Sequence, residues 1–137
     1  MAYDRVLVAN TRNWLLKAAK DLRRAEHALT PEWSDPEDSV FHCQQLAEKA
    51  LKAFLTWHDI PFGKTHDLAG LCRQCADADT VFGGWAERLD KLTEYAWKFR
   101  YPGAPYEPTA EEAQRALALA REAYEAVLSR IPEEARP

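Results

Sequence analysis

Residues 40–58, VFHCQQLAEKALKAFLTWH, decide how the rest of this chain is arranged. Plotted at about 100° per residue, the apolar side chains form one broad arc, which is typical of a packed amphipathic helix. The polar side chains on the opposite side are Gln45, Lys49, Lys52 and Thr56, with His42 at their edge. This polar stripe is the first place where we look for function.

The apolar arc of this segment is wider than one neighbouring helix could cover. Leu46, Ala53 and Trp57 extend it on both sides. We therefore expect a central helix that contacts several other helices or a second subunit, and we predict a homodimer through this region. Gln44 lies within the arc, so we expect its amide to hydrogen-bond across an interface, because a buried unpaired amide would cost about 1–3 kcal/mol.

Length and composition indicate a single globular domain over residues 1–137. Hydrophobic residues make up 47% of the chain, enough for a core that a disordered protein would lack. The net charge of −4 argues against a surface given over to nucleic acid, so we expect no DNA partner, although a local basic face is compatible with it. Without a 20-residue apolar run or a signal-peptide pattern, we expect a cytoplasmic protein that makes no membrane contact.

Three cysteines, two of them in the sequence CRQC at 72–75, raise the question of a metal or redox site. A structural zinc ion needs four ligands, and the sequence offers neither a second such pair nor two histidines at zinc-finger spacing. Cys72 and Cys75 share a helical face with Leu68 and Leu71. We therefore interpret both cysteines as core residues, and we predict neither a metal nor a cofactor.

Helical periodicity continues along the chain, interrupted by segments rich in proline and glycine. It predicts an all-α antiparallel bundle of four main helices and one short helix. The predicted ranges are 11–29 with a start as early as 3, 36–58, a short helix at 65–78, 85–99, and 109–131 opened by a capping box at Thr109 and Glu112. The helix at 36–58 has Ser34 or Asp35 as its N-cap and Pro36 in its first turn, and Pro61 and Gly63 follow its end. The tail after Pro132 is expected to be frayed.

The first predicted helix has a basic stripe on the side away from its apolar seam. Lys17, Lys20 and Arg24 form this stripe. Such a row of cations can contact phosphates, but it is more typical of a solvated helix face. The sequence favours the solvated face.

Four segments resemble the HEPN domain, the higher eukaryote and prokaryote nucleotide-binding family of small helical bundles. They are WLLKAAKDLRRAEHAL at 14–29, FHCQQLAEKALKAFL at 41–55, IPFGKTHDLAGL at 60–71 and FRYPG at 99–103. The resemblance covers most of the chain. It implies the HEPN fold and a pairing with a minimal nucleotidyltransferase in a toxin–antitoxin type of system.

Ribonucleases of this family carry an arginine followed, after four to six residues, by a histidine, and the pair is completed across a dimer. In such a pair the arginine neutralises phosphate charge and the histidine moves a proton. Arg100 is the natural candidate here, but positions 105 to 107 are Pro105, Tyr106 and Glu107. No other arginine precedes a histidine at this spacing. The departure weighs against ribonuclease activity and leaves open whether the protein is an enzyme.

Arg100 with Tyr101 and Tyr106 is the strongest candidate site, because a guanidinium and two rings can bind a phosphate and stack a base. A structural alternative is that Arg100 pairs with an acidic residue while the tyrosines support the connector. Lys49 and Lys52 are further candidates for an anion site. His66, in the first turn of the short helix, is either a ligand-binding group or part of a helix cap.

These observations favour a noncatalytic, dimeric HEPN-like module that binds a nucleotide, an RNA or a minimal nucleotidyltransferase. One alternative is a ribonuclease toxin with a degenerate site, in which Arg100 acts with His66 or Tyr106. The other is a purely structural dimer that binds no ligand.

Overall fold

The computed structural model describes residues 3–137, which fold into an all-helical bundle, so the predicted fold class is confirmed. The helices are α1 (Arg5–His27), α2 (Pro36–Trp57), α3 (Leu68–Ala76), α4 (Trp85–Thr93) and α5 (Ala110–Leu128). Short 3₁₀ turns lie at Pro31–Trp33, Thr80–Gly84, Glu94–Ala96 and Glu133–Ala135. Within this part of the chain, no helix combines the length and the apolar character that a bilayer crossing requires.

Helix α2 lies at the centre of the bundle and packs mainly against α1 and α5, with α3 and α4 along a third side. Leu46 and Ala53, which widen the apolar arc, are completely buried within the chain itself. The central position of α2 is therefore confirmed. The width of its arc, however, gives no reason to invoke a second subunit, because helices of the same chain cover it.

The two ends of α2 are set by aspartates. Asp35 caps the start, accepting a hydrogen bond from the Asp38 N–H at 3.2 Å, and Pro36 occupies the first turn as predicted. At the other end Asp59 adopts a left-handed backbone with φ 55°, and the Ile60 N–H bonds to the Leu55 carbonyl at 2.9 Å. Aspartate tolerates this conformation better than most residues, and the helix ends at Trp57, one residue before the predicted end.

Helix α4 ends at Thr93, six residues earlier than predicted, and a tight 3₁₀ turn at Glu94–Ala96 follows it. The turn brings the Tyr95 ring into the core, where the seam of a continued α-helix would have placed Ala96. Tyr95 buries more apolar surface than alanine, and its hydroxyl donates to Glu112 at 2.5 Å. Burial and this carboxylate raise the pKa of Tyr95, so the phenol remains a donor.

Helix α5 starts as predicted, with the Thr109 hydroxyl accepting from the Glu112 N–H at 3.1 Å. The reciprocal half of the capping box does not form. Instead, the Glu112 carboxylate accepts hydrogen bonds from the hydroxyls of Tyr95 and Tyr106. It thereby ties the connector before α5 to the end of α4.

The prediction of a frayed C-terminal tail was wrong. Ala135 is completely buried, and residues Glu133–Ala135 form a 3₁₀ turn. The guanidinium of Arg12 on α1 donates to the carbonyls of Glu134 and Arg136, the latter at 3.2 Å. These bonds hold the tail against α1, which a reading of local sequence could not reveal.

Cys72 and Cys75 lie in the core, as the sequence indicated. The Cys75 thiol lies 3.7 Å from the Leu51 carbonyl oxygen on α2. Burial raises the pKa of Cys72 to about 12, so it is a protonated thiol at neutral pH. Both residues therefore serve packing between α3 and α2.

Candidate functional site

The polar side of α2 is partly open to solvent along much of its length. Positions 38, 41, 42, 45, 48 and 49 repeat at three- and four-residue intervals and so share one side of the helix. Two rows of contacts follow from this spacing. One row meets α1, and the other meets the chain segments before α3 and after α4.

The first row is centred on Asp21, an α1 residue only 2% exposed. Its carboxylate accepts a hydrogen bond from His42 Nδ1 at 2.7 Å and one from Lys49 Nζ at 2.6 Å. Burial alone would raise the pKa of Asp21, but these two bonds outweigh it and lower the pKa below 3.8. Lys49 therefore faces an ionised carboxylate, and most of its charge is already neutralised.

The second row is centred on Glu48, which is 5% exposed. Its carboxylate accepts from His66 Nδ1 at 2.6 Å, Lys52 Nζ at 3.0 Å and Gln44 Nε2 at 3.1 Å. Three donors converge on one buried group, so it is well satisfied. Glu48 fixes the imidazole of His66 by its Nδ1 edge, while most of that ring faces solvent.

Lys52 is a buried structural cation, 7% exposed. In addition to its ion pair with Glu48, its ammonium lies 5.7 Å from the ring centroids of both Trp14 and Phe62. Two aromatic rings and one carboxylate enclose the charge. Lys52 is therefore poorly placed to receive a phosphate from solution.

Gln44 makes its hydrogen bonds within the chain, which corrects the expectation that it bonds across an interface. Besides Glu48, its amide donates to the His66 carbonyl at 3.3 Å. Its oxygen accepts from Gln45 Nε2 at 2.7 Å. The amide thus joins α2 to the segment before α3, and no second subunit is needed to satisfy it.

Arg100 contrasts with these lysines because its guanidinium is held by packing and makes no hydrogen bond to a carboxylate among residues 3–137. The group lies 3.9 Å from the centroid of the Phe41 ring, and its side chain is 46% exposed. The nearest carboxylate oxygen, on Asp38, is 4.0 Å from Nη1, longer than a hydrogen bond. A stacked guanidinium keeps its N–H edges available for a planar anion.

A cleft of about 440 Å³ opens beside Arg100. Tyr101 is 72% exposed at its wall, whereas Tyr106 is fixed by hydrogen bonds to Glu112 at 3.0 Å and Lys98 at 3.2 Å. Gly103, with φ 92°, allows the sharp turn between them. The other lining residues are Glu37, Phe99, Pro102, Ala104 and Glu107.

The structure thus brings together only part of the predicted site. Arg100, Tyr101 and Tyr106 surround one cleft. His66 contacts Glu48, which is seven residues and about 10 Å along α2 from the Phe41 that supports Arg100. Lys49 and Lys52 do not share the Arg100 cleft, since each points to its own buried carboxylate.

Sequence reasoning missed Asp21, Glu48 and Phe41, although two of them left a signal. Asp21 stands three residues after Ala18 and four before Ala25, within the apolar seam of α1, where an acidic residue needs a partner. Glu48 precedes Lys52 by four residues, the spacing of a helical ion pair. Nothing local pointed to Phe41 as the platform for Arg100.

Comparison with known proteins agrees with this architecture. The chain is 30% identical to the protein named "Putative toxin MJ1304" of Methanocaldococcus jannaschii, over 82% of this chain and 78% of that protein. No solved structure gives a significant match. The family described as HEPN domain matches residues 11–131, which include all of α2 to α5 and most of α1. This chain therefore belongs to the HEPN domain family.

Proposed function

We propose that this chain is the HEPN module of a toxin–antitoxin type of system and binds the phosphate of a nucleotide or RNA through Arg100, without cleaving it. The observation that carries the proposal is the guanidinium of Arg100, which is stacked on Phe41 and makes no hydrogen bond to a carboxylate of the described residues. The name of the Methanocaldococcus jannaschii relative supports the toxin-type context.

Arg100 suits this role because little has to change when a ligand arrives. Stacking on Phe41 has already restricted the guanidinium, so less conformational entropy is lost on binding. Charge-assisted hydrogen bonds to phosphate contribute roughly 1.5–3 kcal/mol. The exposed Tyr101 ring beside it can stack on a base, which offers a second contact for a nucleotide.

The noncatalytic part of the proposal rests on what surrounds Arg100. Tyr106, at ribonuclease-histidine spacing, is a phenol already engaged by Glu112 and Lys98. Its hydroxyl would have to give up both bonds before it could move a proton. No histidine among residues 3–137 lines the Arg100 cleft.

Homodimerisation and a minimal nucleotidyltransferase partner belong to the same proposal. Both are implied by the family, whose ribonuclease members complete their site across a dimer. The exposed rings of Trp97 and Tyr101, on the segment that carries Arg100, leave apolar surface that a second protein could cover. A purely structural dimer would bind a partner through this surface but would give no response to nucleotide.

Binding of a fluorescein-labelled 12-nucleotide uridine RNA, followed by fluorescence anisotropy, tests the role of Arg100. We expect Arg100→Ala to weaken binding about 10- to 100-fold, because it removes charge-assisted bonds to phosphate. Arg100→Lys should lose less affinity, since lysine keeps the positive charge but lacks the paired N–H groups with which a guanidinium binds a phosphate. Arg115→Ala, at an exposed α5 cation, is the control and should bind like the wild type. Equal affinity of Arg100→Ala and wild type would contradict the proposal.

The His66–Glu48 contact favours ribonuclease activity as a second candidate function. A buried carboxylate orients one imidazole nitrogen and leaves the other edge of the ring exposed, where a substrate can reach it. The same RNA, incubated with the protein and separated on a gel, decides between the candidates. Cleavage that disappears in both His66→Ala and Arg100→Ala would establish an enzyme, whereas intact RNA would support the binding module.

A further inference from the structure

The solvent side of α1 carries a concentration of cations in a chain whose net charge is −4. Lys17, Lys20, Arg23 and Arg24 are all exposed. None of the four lies within 4.0 Å of a carboxylate oxygen in residues 3–137, whereas Lys49 and Lys52 on α2 are both paired. We call these four residues the α1 basic face.

The cations of the α1 basic face repel one another in the free protein. Lys20 and Arg24 are four residues apart on the helix, and Lys17 and Lys20 are three apart, so like charges face each other across successive turns. A helix face that was merely solvated would more commonly alternate charges of both signs. A bound polyanion would relieve this repulsion.

A concave surface accompanies the charge. Lys20, Arg23, Arg24 and His27 line a cleft of about 360 Å³, which is closed on the α2 side by Asp38. At the end of the cation row the His27 ring lies 5.8 Å from the ring of Trp33, at an angle of 32°. Trp33 is 65% exposed, so a large aromatic face is open to solvent beside the cations.

Asp38 also connects this cleft to the Arg100 site. It lines a second depression together with Phe99 and Arg100, and it lies 4.0 Å from the Arg100 guanidinium. Its Oδ1 atom also lies 3.5 Å from His42 Nε2. The α1 basic face and the Arg100 cleft are therefore neighbouring parts of one surface.

We propose that the α1 basic face and Trp33 bind single-stranded nucleic acid, as an extension of the Arg100 site. The cations would contact successive phosphates over about 10 Å, the two turns from Lys17 to Arg24, while Trp33 stacks on a base. Cations beside an open aromatic ring fit a single strand, because a duplex keeps its base faces stacked inside. The inference rests on the proposed function in one respect, namely that the bound strand continues into the Arg100 cleft.

A matched pair of charge reversals tests this surface. Lys20→Glu/Arg24→Glu and the control Lys91→Glu/Arg115→Glu change the net charge equally and involve exposed, unpaired residues of the described chain. We expect the first variant to bind the 12-nucleotide uridine RNA at least 10-fold more weakly at 0.1 M salt. Its log–log salt slope should fall by about 1.4, since each single-strand phosphate contact contributes about 0.7. The control should retain both the affinity and the slope.

Trp33→Ala provides an independent readout, because it removes a stacking ring and no charge. Stacking is worth about 1–3 kcal/mol per base, so binding should weaken about 5- to 150-fold with an unchanged salt slope. Circular dichroism confirms folding of each variant. An unlabelled 12-nucleotide thymidine DNA that competes with the RNA would support a single-strand surface without sugar preference.

Three results would overturn the inference: equal losses in the two double variants, no loss in either, or a duplex of the same length that binds as tightly. The Arg100→Ala variant separates this failure from that of the proposed function. If Arg100→Ala binds like the wild type while Lys20→Glu/Arg24→Glu does not, the Arg100 site fails and the α1 basic face stands. If Lys20→Glu/Arg24→Glu binds like the wild type while Arg100→Ala does not, the result contradicts only the role of the α1 basic face.

Discussion

Replacing Glu48 with glutamine should lower the free energy of unfolding by about 3–5 kcal/mol, because it leaves a buried cation without its counter-charge. Lys52 pairs with Glu48 at 3.0 Å and is almost completely enclosed by the protein, so water cannot compensate for the loss. The substitution also weakens the bond that holds His66 and hence the segment before α3. Urea unfolding followed by circular dichroism measures the change.

Two further variants separate the buried charge from other causes of instability. Glu48→Gln/Lys52→Met removes both charges and keeps the aliphatic stem between Trp14 and Phe62, so it should recover most of the lost stability. Glu94→Gln removes an exposed ion pair to Lys98 and should cost less than about 1 kcal/mol. A Glu48→Gln cost as small as that of Glu94→Gln, or a double variant no more stable than the single one, would refute this account.

Asp21→Asn should destabilise the protein by about 2–4 kcal/mol at pH 7, and this difference should shrink in acid. His42 and Lys49 hold the pKa of Asp21 below its unfolded value of 3.8. A group with a lowered folded pKa stabilises the protein above the unfolded pKa, and this contribution is lost as pH falls through the folded pKa. The stabilities of the wild type and Asp21→Asn should therefore begin to converge as the pH falls below about 4.

Urea unfolding of both proteins at pH 7, 5 and 3 checks this dependence. The difference should be present at both pH 7 and pH 5, because the Asp21 carboxylate is ionised at both, and it should be smaller at pH 3. Asp90→Asn, at an exposed and unpaired α4 residue of the described chain, is the control and should show little difference at any pH. A gap between the wild type and Asp21→Asn that widened towards pH 3 would mean that the sign of the pKa shift is wrong.

Much of the fold could be predicted because local sequence sets it. The periodicity of residues 40–58 gave the central helix, and Asp35, Pro36 and Thr109 marked helix starts that the structure places where they were expected. The errors arose where distant residues decide. Glu112 on α5 accepts a hydrogen bond from Tyr95, which lies in the turn that follows the early end of α4. Arg12 on α1 binds the C-terminal tail, which from its local composition would be expected to fray.

The same distinction explains the candidate site. Spacing placed Lys49 and Lys52 on a polar stripe, but it could not show that Asp21 and Glu48 neutralise them. Whether a lysine can receive a phosphate depends on what already lies beside its ammonium group. Arg100 was identified from FRYPG, but its availability depends on Phe41, which is almost 60 residues earlier in the chain.

The most direct test of the Arg100 site is a ¹H–¹⁵N correlation NMR titration of the labelled protein with a short single-stranded RNA. We predict that the largest shift changes will fall on residues 99–106 and on Phe41, with smaller changes along the α1 basic face. Changes confined to other parts of the bundle, such as the exposed side of α5, would contradict a ligand site at Arg100.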